Sequence, residues 1–390
     1  MTESSFRNKK ERKINMDITK VNIPEKFKNH PLFTKPVLGT NFGFMSKRGY
    51  YLTDFAKAQP ELMAKSGVNW TTLNMNFCQD NYFSQKVYLD FEFSSGEYEL
   101  SETVKRLHDN GISVLFKPCL TPLDGGWMGL VNFPDTEVLR QIEGVENDYW
   151  GNWFKSFTEA LKYFADFSER VGMDAMIIGA EYSGTERKDE HWMKVIEAVR
   201  QNYSNPISYE TTMGASAKNP QKFLENVDFL CYSYYPPAAP PNMPLDAFGA
   251  MDAANNPTVK EVPSRTVEEM VEYMQPARDN ILNMSKRFGN KPLALTEFGI
   301  RSAHGCVMQP FNFLWDSYYD GEEQANYLEA GFRTFLDLAP YLGFFWWKWD
   351  ETQNRPHYKT DPNGEMGFTI QGKPAEEVMR KWLQKLGGNK

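Results

Sequence analysis

The chain has 390 residues, of which 41% are hydrophobic and 24% are charged, as expected for a globular protein with a packed core. Its formal net charge of −8 argues against nucleic-acid binding, because a protein that binds phosphate backbones needs a basic surface to displace their counterions. No segment approaches 18 consecutive apolar residues, so we expect no membrane-spanning helix and no membrane partner.

Residues 1–30 are polar and contain one dense basic run, RNKKERK, at residues 7–13. We expect this segment to be flexible and residues 31–390 to form a single domain. The first 30 residues lack the apolar stretch of a signal peptide, and the four cysteines show no CxxC spacing. These features predict a cytoplasmic protein, or a secreted one if a native leader has been removed.

Eight apolar segments follow from residue 36 onward, and several have apolar residues at consecutive positions, as strands buried on both faces require. The predicted strands are 37–44, 68–77, 112–118, 174–181, 206–212, 227–236, 292–299 and 342–351. Amphipathic segments with helix-capping residues lie between them. The predicted helices are 53–66, 101–110, 150–171, 188–202, 219–226, 264–288, 321–339 and 374–386.

This strict alternation of eight strands and eight helices predicts an α/β fold, a single (β/α)₈ TIM barrel. The alternative is an open α/β sheet, but the segment GTNFGF after the first strand lacks the GxGxxG and GxxxxGK spacings of nucleotide-binding folds. Two long connections, about 119–149 after the third strand and 236–257 after the sixth, are expected on the active face of the barrel.

Glutamates end two of the predicted strands, Glu181 in IIGAEYSG on the fourth and Glu297 in LTEFG on the seventh. A buried, unpaired carboxylate is costly, so both are expected to face a polar cavity. In a barrel all C-terminal strand ends share one face, where carboxyl groups about 5–5.5 Å apart support retaining glycoside hydrolysis. A single glutamate at such a position is also an ordinary cap or ion-pair member, and the paired arrangement favours the catalytic interpretation.

Aromatic residues on the sixth and eighth strands are candidate substrate ligands. Either Tyr234 or Tyr232 is placed to hydrogen-bond Glu297, and we favour Tyr234. In the segment FFWWKWDE, strand alternation sends Trp347 and Trp349 to the same face. A flat indole at that position would stack on the apolar face of a sugar ring, although a purely structural role in the core is the alternative.

Other strand ends and one loop supply further candidates. Trp127 lies among glycines in LDGGWMG, a pattern typical of an exposed aromatic on a binding loop. Lys117 ends the third strand and requires an anionic or hydroxyl partner, which is a sugar, Glu181 or a structural ion pair. Asn74 and Asn76 lie on the second strand, and we expect their amides to contact substrate hydroxyls.

Metal-dependent and serine-dependent chemistry finds little support in the sequence. The five histidines are scattered without an HxH or HExxH pattern, and the nucleophile motif GxSxG is absent. We therefore expect neither a metal nor a cofactor.

Together these segments resemble glycoside hydrolase family 113, whose members are β-1,4-mannanases in the clan of retaining (β/α)₈-barrel glycosidases. The similar stretches are FGFM, LFKP, IIGAEYSG, CYSYYP, LTEFGIRS and GFFWWKWDE, which extend from about residue 37 to residue 351. The resemblance implies that Glu181 is the acid/base and Glu297 the nucleophile. Many clan members have asparagine before the acid/base to bond the sugar 2-hydroxyl, whereas this chain has Ala180. Either another donor such as Asn74 or Asn76 takes this role, or catalysis is weaker than is usual in the clan.

The resemblance thus implies that residues 31–390 are a catalytic TIM barrel that hydrolyses β-1,4-linked mannan or manno-oligosaccharides with retention. One alternative keeps this mechanism and changes the substrate to another β-glycan or a β-mannoside. A second alternative is a carbohydrate-binding barrel without catalytic activity. In each case the expected partner is an oligosaccharide or polysaccharide.

Overall fold

A closed barrel of eight parallel strands forms the centre of the computed structural model, which describes residues 21–144, 146–212, 221–241, 263–313, 315, 317–351 and 366–386. The strands are β1 (Val37–Phe42), β2 (Trp70–Gln79), β3 (Ser113–Pro122), β4 (Ala175–Ala180), β5 (Ile207–Thr212), β6 (Leu230–Ser233), β7 (Leu293–Phe298) and β8 (Tyr341–Trp346). Neighbours in the chain are neighbours in the barrel, and β8 pairs with β1 to close it. The predicted TIM barrel is confirmed, and the open sheet is wrong.

Helices pack around the outside of this barrel. Those within the described ranges are α1 (Pro31–Thr34), α2 (Asp54–Lys65), α3 (Glu97–Asp109), α4 (Thr136–Glu143), α5 (Tyr149–Val171), α6 (Asp189–Arg200), α7 (Val267–Tyr273), α8 (Gln275–Arg287), α9 (Gly321–Phe335) and α10 (Pro374–Lys385). None of the described helices is both long and apolar enough to cross a membrane.

The longest helix, α5, illustrates how local sequence sets an element. The Asp148 carboxylate accepts a hydrogen bond of 2.8 Å from the backbone N–H of Gly151 and caps the helix start. Gly172 ends the helix in the left-handed conformation that glycine adopts without steric cost. Between them Phe157 and Phe164 are buried against the barrel, so one apolar face attaches the helix to the strands.

Some predicted helices differ from the structure. The predicted helix 264–288 is two helices, α7 and α8, because Pro276 has no N–H to continue the first helix and instead occupies the first turn of the second. Within the predicted helix 219–226, the described part forms a 3₁₀ helix, Lys222–Asn226. Helix α4 was not predicted, and it lies inside the long connection after β3.

Two apolar cores hold the barrel and its helices together. The larger core lies between the strands and the surrounding helices. The smaller one is formed by inward-facing residues near the N-terminal strand ends, including Trp70 and Phe229. Phe27 and Phe33 join this smaller core, and the Phe33 and Phe229 rings meet edge to face with centroids 6.2 Å apart. The segment before β1 therefore closes the barrel at its N-terminal end.

Two predicted features extend beyond the described residues. Of the predicted flexible segment 1–30, residues 1–20 lie outside them, whereas the 3₁₀ helix Glu25–Phe27 is described and buries its phenylalanine. Of the connection 236–257, only residues up to 241 are described.

Gly343, on β8, lies where the barrel closes and pairs with Val37 on β1. Its φ is +139°, and a Cβ atom there would lie 2.0 Å from the carbonyl oxygen of Val37 on β1. We expect Gly343→Ala to lower the free energy of unfolding by more than about 3 kcal/mol, because the clash is with backbone at the strand seam. Urea unfolding monitored by tryptophan fluorescence measures the change.

Gly111→Ala is the matched control. Gly111 also has a positive φ of +73°, but nothing lies within 4 Å of its added Cβ. Its expected cost is about 1 kcal/mol, the cost of backbone strain alone. Equal losses in the two variants would contradict a packing constraint where β8 meets β1.

Candidate active site

A cavity of about 740 Å³ opens at the C-terminal ends of the barrel strands, within the size range of small-molecule sites. Four charged side chains from four different strands line it: Lys117 inside β3, Glu181 directly after β4, Glu210 inside β5 and Glu297 of β7. Lys117 was predicted to end its strand, but β3 continues to Pro122. Lys117 and Glu297 are 180 positions apart in the chain, yet their side chains are in contact. Closure of the barrel therefore assembles one charged site from distant segments.

Glu181 lies where β4 ends and the chain turns away from the barrel. Its backbone N–H donates to the carbonyl oxygen of Glu210 at 2.8 Å, which holds the residue to β5. Its φ is +60°, in the left-handed region that residues other than glycine adopt infrequently. Backbone conformations of this kind concentrate at functional sites, where surrounding structure maintains them.

Hydrogen-bond donors surround the carboxylate of Glu297. The Lys117 Nζ atom lies 2.6 Å from Oε1, and the Tyr235 hydroxyl donates to Oε2 at 2.8 Å. The Ser233 hydroxyl lies 3.4 Å from Oε2 and is also a hydrogen-bonding neighbour of Glu181. Donors at both oxygens fix the orientation of the carboxylate.

Lys117 is almost completely buried and contacts a second carboxylate as well. Its Nζ atom lies 2.7 Å from Glu210 Oε1, and Glu210 is fully buried. Burial alone would lower the pKa of Lys117, but Glu210 and Glu297 outweigh it and hold that pKa well above its usual value. The ammonium is therefore charged and shared between two carboxylates.

Glu181 and Glu210, the other two carboxylates of the cavity, hold protons more tightly than free glutamate does. Burial, then the negative charges of Glu297 and Glu210, raises the pKa of Glu181 to about 8. Burial also raises the pKa of Glu210 to about 7, although the Lys117 ammonium opposes this rise. At neutral pH, Glu181 is mainly protonated and can donate a proton within the cavity.

Aromatic side chains form much of the remaining wall. Trp347 follows β8 and is 8% exposed, and its ring meets Phe44 edge to face with centroids 4.5 Å apart. Trp127, Phe311 and Phe313 are each about half exposed and line the same cavity. The cavity thus combines charged groups with flat apolar surfaces.

The structure places six of the predicted site residues in this cavity: Lys117, Trp127, Glu181, Tyr234, Glu297 and Trp347. Lys117 pairs with Glu210 and Glu297; Glu181, the carboxylate named as its possible partner from the sequence, is not among its ion pairs in the described residues.

The predicted tyrosine partner of Glu297 is corrected. Tyr235, rather than Tyr234 or Tyr232, hydrogen-bonds the carboxylate. β6 ends at Ser233, so strand alternation does not continue to the tyrosines after it. The Tyr234 hydroxyl instead accepts a hydrogen bond from Asn280 at 3.2 Å, and Tyr232 is buried in the larger core.

Asn74 and Asn76 are not among the residues lining the cavity, contrary to the prediction. The Asn74 amide donates to the carbonyl oxygen of Phe42 at 2.9 Å, and the Asn76 amide donates to that of Ser46 at 2.8 Å. Asn74 therefore ties β2 to the end of β1, and Asn76 ties it to the chain that follows β1.

Trp349 also differs from its predicted position. It is fully buried in the larger core, and its indole N–H donates to the Gln59 side chain at 2.9 Å. β8 ends at Trp346, so alternation does not place Trp349 on the same face as Trp347.

Several residues of the site were missed in the sequence, among them Glu210 and Tyr235. Glu210 lies within β5, in the segment ISYETT, between residues that were read only as a strand. A glutamate inside a strand and a lysine inside another, both expected to be buried, are a signal of an ion pair between them. The contact of Tyr235 carried no such signal, because it depends on where β6 ends.

One group among the described residues has the composition of a metal site. Ligand atoms of His304, Asp320 and Glu323 lie within 4.8 Å of one another. His304 Nδ1 lies 2.8 Å from Asp320 Oδ2, so a hydrogen bond already accounts for this contact. These residues are not among those lining the cavity, and we assign no ion to them.

A sequence model of glycoside hydrolase family 113 (GH113) matches residues 40–373. Two solved structures of GH113 β-1,4-mannanases, one of them a complex, have 21% and 23% sequence identity and TM-scores of 0.71 and 0.72, and each comparison covers 90% of this chain and 99% of the other. The GH113 β-mannanase AaManA from Alicyclobacillus acidocaldarius, in complex with ManMIm, has 21% identity and a TM-score of 0.73, with 91% and 99% of the two chains covered. At these identities the structures establish the fold. No match is found among curated proteins.

The raised pKa of Glu181 predicts how stability depends on pH. Between the ordinary value of 4.5 and about 8, the folded protein binds a proton that the unfolded chain releases. The contribution of this residue to the free energy of unfolding therefore decreases as pH rises through that window. Glu181→Gln, which stays neutral, should be more stable than the wild type at pH 8.5 by about 1 kcal/mol or more, and equally stable near pH 4.

Urea unfolding at the two pH values measures this difference. Glu61→Gln is the control, because Glu61 is exposed on α2 and pairs only with Lys65. At pH 8.5, Glu61→Gln should not be more stable than the wild type. A Glu181→Gln variant with the same stability relative to wild type at both pH values would contradict the assignment.

Proposed function

The chain belongs to glycoside hydrolase family 113, and from this membership we propose that it cleaves β-1,4-mannosidic linkages in mannan or manno-oligosaccharides with retention of configuration. The observation that carries the proposal is the pair Glu181 and Glu297, which share one cavity but have opposite electrostatic environments. A neutral acid and an ionised carboxylate facing one ligand are the two groups that retaining glycoside hydrolysis needs.

Glu181 has the properties of the general acid/base. Its pKa of about 8, raised by burial and by the neighbouring carboxylates, keeps it protonated at neutral pH. A proton donor is most effective when its pKa lies near the working pH, because it is then both populated and able to release its proton.

Glu297 has the properties of the nucleophile. The Lys117 ammonium and the Tyr235 hydroxyl stabilise its negative charge and hold its two oxygens in place. The hydroxyl of Ser233 neighbours both glutamates, so the two carboxylates face the same part of the cavity.

The reaction then proceeds in two displacements. In the first, Glu297 attacks the anomeric carbon, the glycosidic C–O bond breaks, and the leaving oxygen takes the proton of Glu181. In the second, water attacks the anomeric carbon and gives a proton to Glu181, while the ester bond breaks and returns its electron pair to Glu297. Two inversions at the same carbon restore the original configuration.

Trp347 is our proposed platform for the sugar ring next to the cleaved bond. Its indole borders the cavity beside Lys117, whose Nζ atom lies 5.4 Å from the ring centroid. Trp127, Phe311 and Phe313 extend the aromatic surface toward solvent, where further sugar units of an oligosaccharide would stack. This extended surface supports an oligosaccharide substrate over a small aryl glycoside.

Hydrolysis of mannohexaose followed by proton NMR tests substrate and mechanism together. The first product released should carry the β-anomer at its new reducing end, before mutarotation equilibrates it. Glu297→Ala should lose nearly all turnover, because it removes the carboxylate that forms the proposed intermediate, while its circular dichroism remains that of the wild type.

An α-anomeric first product would contradict a double displacement at this site. Hydrolysis of another β-glycan in preference to mannohexaose would support the same mechanism on a different sugar. Binding of mannohexaose without any product would support a carbohydrate-binding barrel.

Two adjacent tyrosines allow a matched test of Glu297 orientation. Tyr235→Phe removes the hydrogen bond to Glu297 Oε2 and should lower kcat about 10- to 100-fold, the range for a hydrogen bond to a charged group. Tyr234→Phe removes only the contact with Asn280 and should change kcat less than about 3-fold. Steady-state kinetics on mannohexaose compares the two variants. Equal losses of kcat would show that the hydrogen bond from Tyr235 does not orient Glu297 for catalysis.

A further inference from the structure

The cavity contains one more buried carboxylate than the two displacements use. Glu210 takes no proton from the substrate and forms no bond to it in the mechanism above, yet it is fully buried at the cavity and contacts Lys117 at 2.7 Å. A buried carboxylate is costly, so its presence next to the nucleophile's own cation calls for a physical reason.

The charge balance of the reaction supplies that reason. In the free site, the Lys117 ammonium lies between two carboxylates, Glu210 and Glu297. When Glu297 attacks the sugar, its negative charge is consumed in the new ester bond. Lys117 is 1% exposed, so water has little access to solvate its ammonium group after this charge is lost. Among the described residues, the only carboxylate still paired with Lys117 is then Glu210.

We propose that Glu210 is a positioning residue that keeps the Lys117 ammonium paired while Glu297 carries the sugar, and thereby balances the rates at which the glycosyl-enzyme forms and breaks down. This inference rests on the proposed function, because it assigns Glu297 as the nucleophile. Glu210 acts through Lys117 and does not itself touch the reacting atoms.

The backbone keeps Glu210 in place throughout the cycle. The backbone of Glu210 pairs with that of Ala180 on β4 and with that of Cys231 on β6, so Glu210 lies between two neighbouring strands. Its carbonyl oxygen also accepts the hydrogen bond from the N–H of Glu181. The backbone that carries the Glu210 carboxylate is therefore held on both sides.

The charges near Glu210 change when the ester forms. Burial and then the negative charge of Glu297 raise the pKa of Glu210 to about 7 in the free site, against the opposing effect of Lys117. Formation of the ester removes the charge of Glu297. Glu210 is then the carboxylate in direct contact with Lys117, whereas Glu181, which has given up its proton, is not among the ion pairs of Lys117 in the described residues.

Removing either partner should affect the two chemical steps in opposite directions. Without the charge of Glu210, ester formation leaves a buried ammonium unpaired, so the intermediate forms more slowly and breaks down faster. Without Lys117, the carboxylate of Glu297 is a poorer leaving group, so the intermediate breaks down more slowly. A purely structural ion pair would instead impair both steps together.

The experiment measures the two steps separately with 2-deoxy-2-fluoro-β-mannosyl fluoride and intact-protein mass spectrometry. This probe labels a nucleophile without needing the general acid, and the labelled enzyme is then freed of excess probe to follow its reactivation. We compare wild type, Glu210→Gln, Lys117→Met and the double variant.

Glu210→Gln should be labelled about 10- to 100-fold more slowly than wild type and should reactivate faster. Lys117→Met should reactivate about 10- to 100-fold more slowly, with a smaller change in its labelling rate. The double variant, in which both charges are gone, should have a ratio of the two rates closer to wild type than either single variant.

Glu186→Gln is the control for loss of a buried glutamate outside the cavity. Glu186 accepts hydrogen bonds from Tyr209, Thr211 and Gln221, and it does not contact Lys117. Both of its rates should stay within about 2-fold of wild type. If Glu210→Gln fails to fold, Glu210→Asp, which keeps the charge, should have a rate ratio near that of wild type, and Lys117→Met still tests the direction of the change.

Equal slowing of labelling and reactivation in Lys117→Met, or an unchanged rate ratio in Glu210→Gln, would overturn the inference while leaving the proposed function intact. By contrast, a wild-type enzyme that is not labelled, together with activity retained in Glu297→Ala, would overturn the proposed function itself.

Discussion

The ion pairs of Lys117 with Glu210 and Glu297 are the interaction on which the site depends. The three side chains come from β3, β5 and β7, and they can meet only because eight parallel strands close into a barrel whose C-terminal ends share one rim. A buried ammonium is stable only with close counter-charges, so the ion pairs and the closed barrel support each other. Strand closure thus provides both the fold and the electrostatic centre of the cavity.

The same centre separates the chemistry of two glutamates with similar sequence contexts. Glu297 receives hydrogen bonds from Lys117 and Tyr235, whereas Glu181 is buried near two negative charges and holds its proton to a pKa of about 8. These different environments support our proposal that Glu181 acts as the acid and Glu297 as the nucleophile. This division costs stability at neutral and higher pH, because the unfolded chain would release the proton that Glu181 keeps. The site shows the usual conflict between a stable fold and a functional arrangement of charges.

The aromatic wall complements these charged groups. Trp347 lies close to Lys117 at the inner part of the cavity, while Trp127 and Phe311 are about half exposed at its outer part. Flat apolar surfaces bind the faces of sugar rings without requiring buried polar partners, and the charges are concentrated where the bond is cleaved. Other aromatic residues, among them Trp349 and Tyr232, belong to the core instead.

Much of this protein followed from its sequence. The alternation of eight apolar segments with amphipathic ones determined the barrel, because burial on both faces and helical periodicity are properties of short stretches of chain. Glu181 and Glu297 were identifiable for the same reason, as carboxylates at the ends of apolar strands. What only the tertiary structure decided was which side chains meet: Tyr235 rather than Tyr234 reaches Glu297, Asn74 binds a backbone carbonyl, and Glu210 pairs with Lys117. These outcomes depend on where each strand ends and on the register between strands, and a shift of one residue there reverses the direction of a side chain.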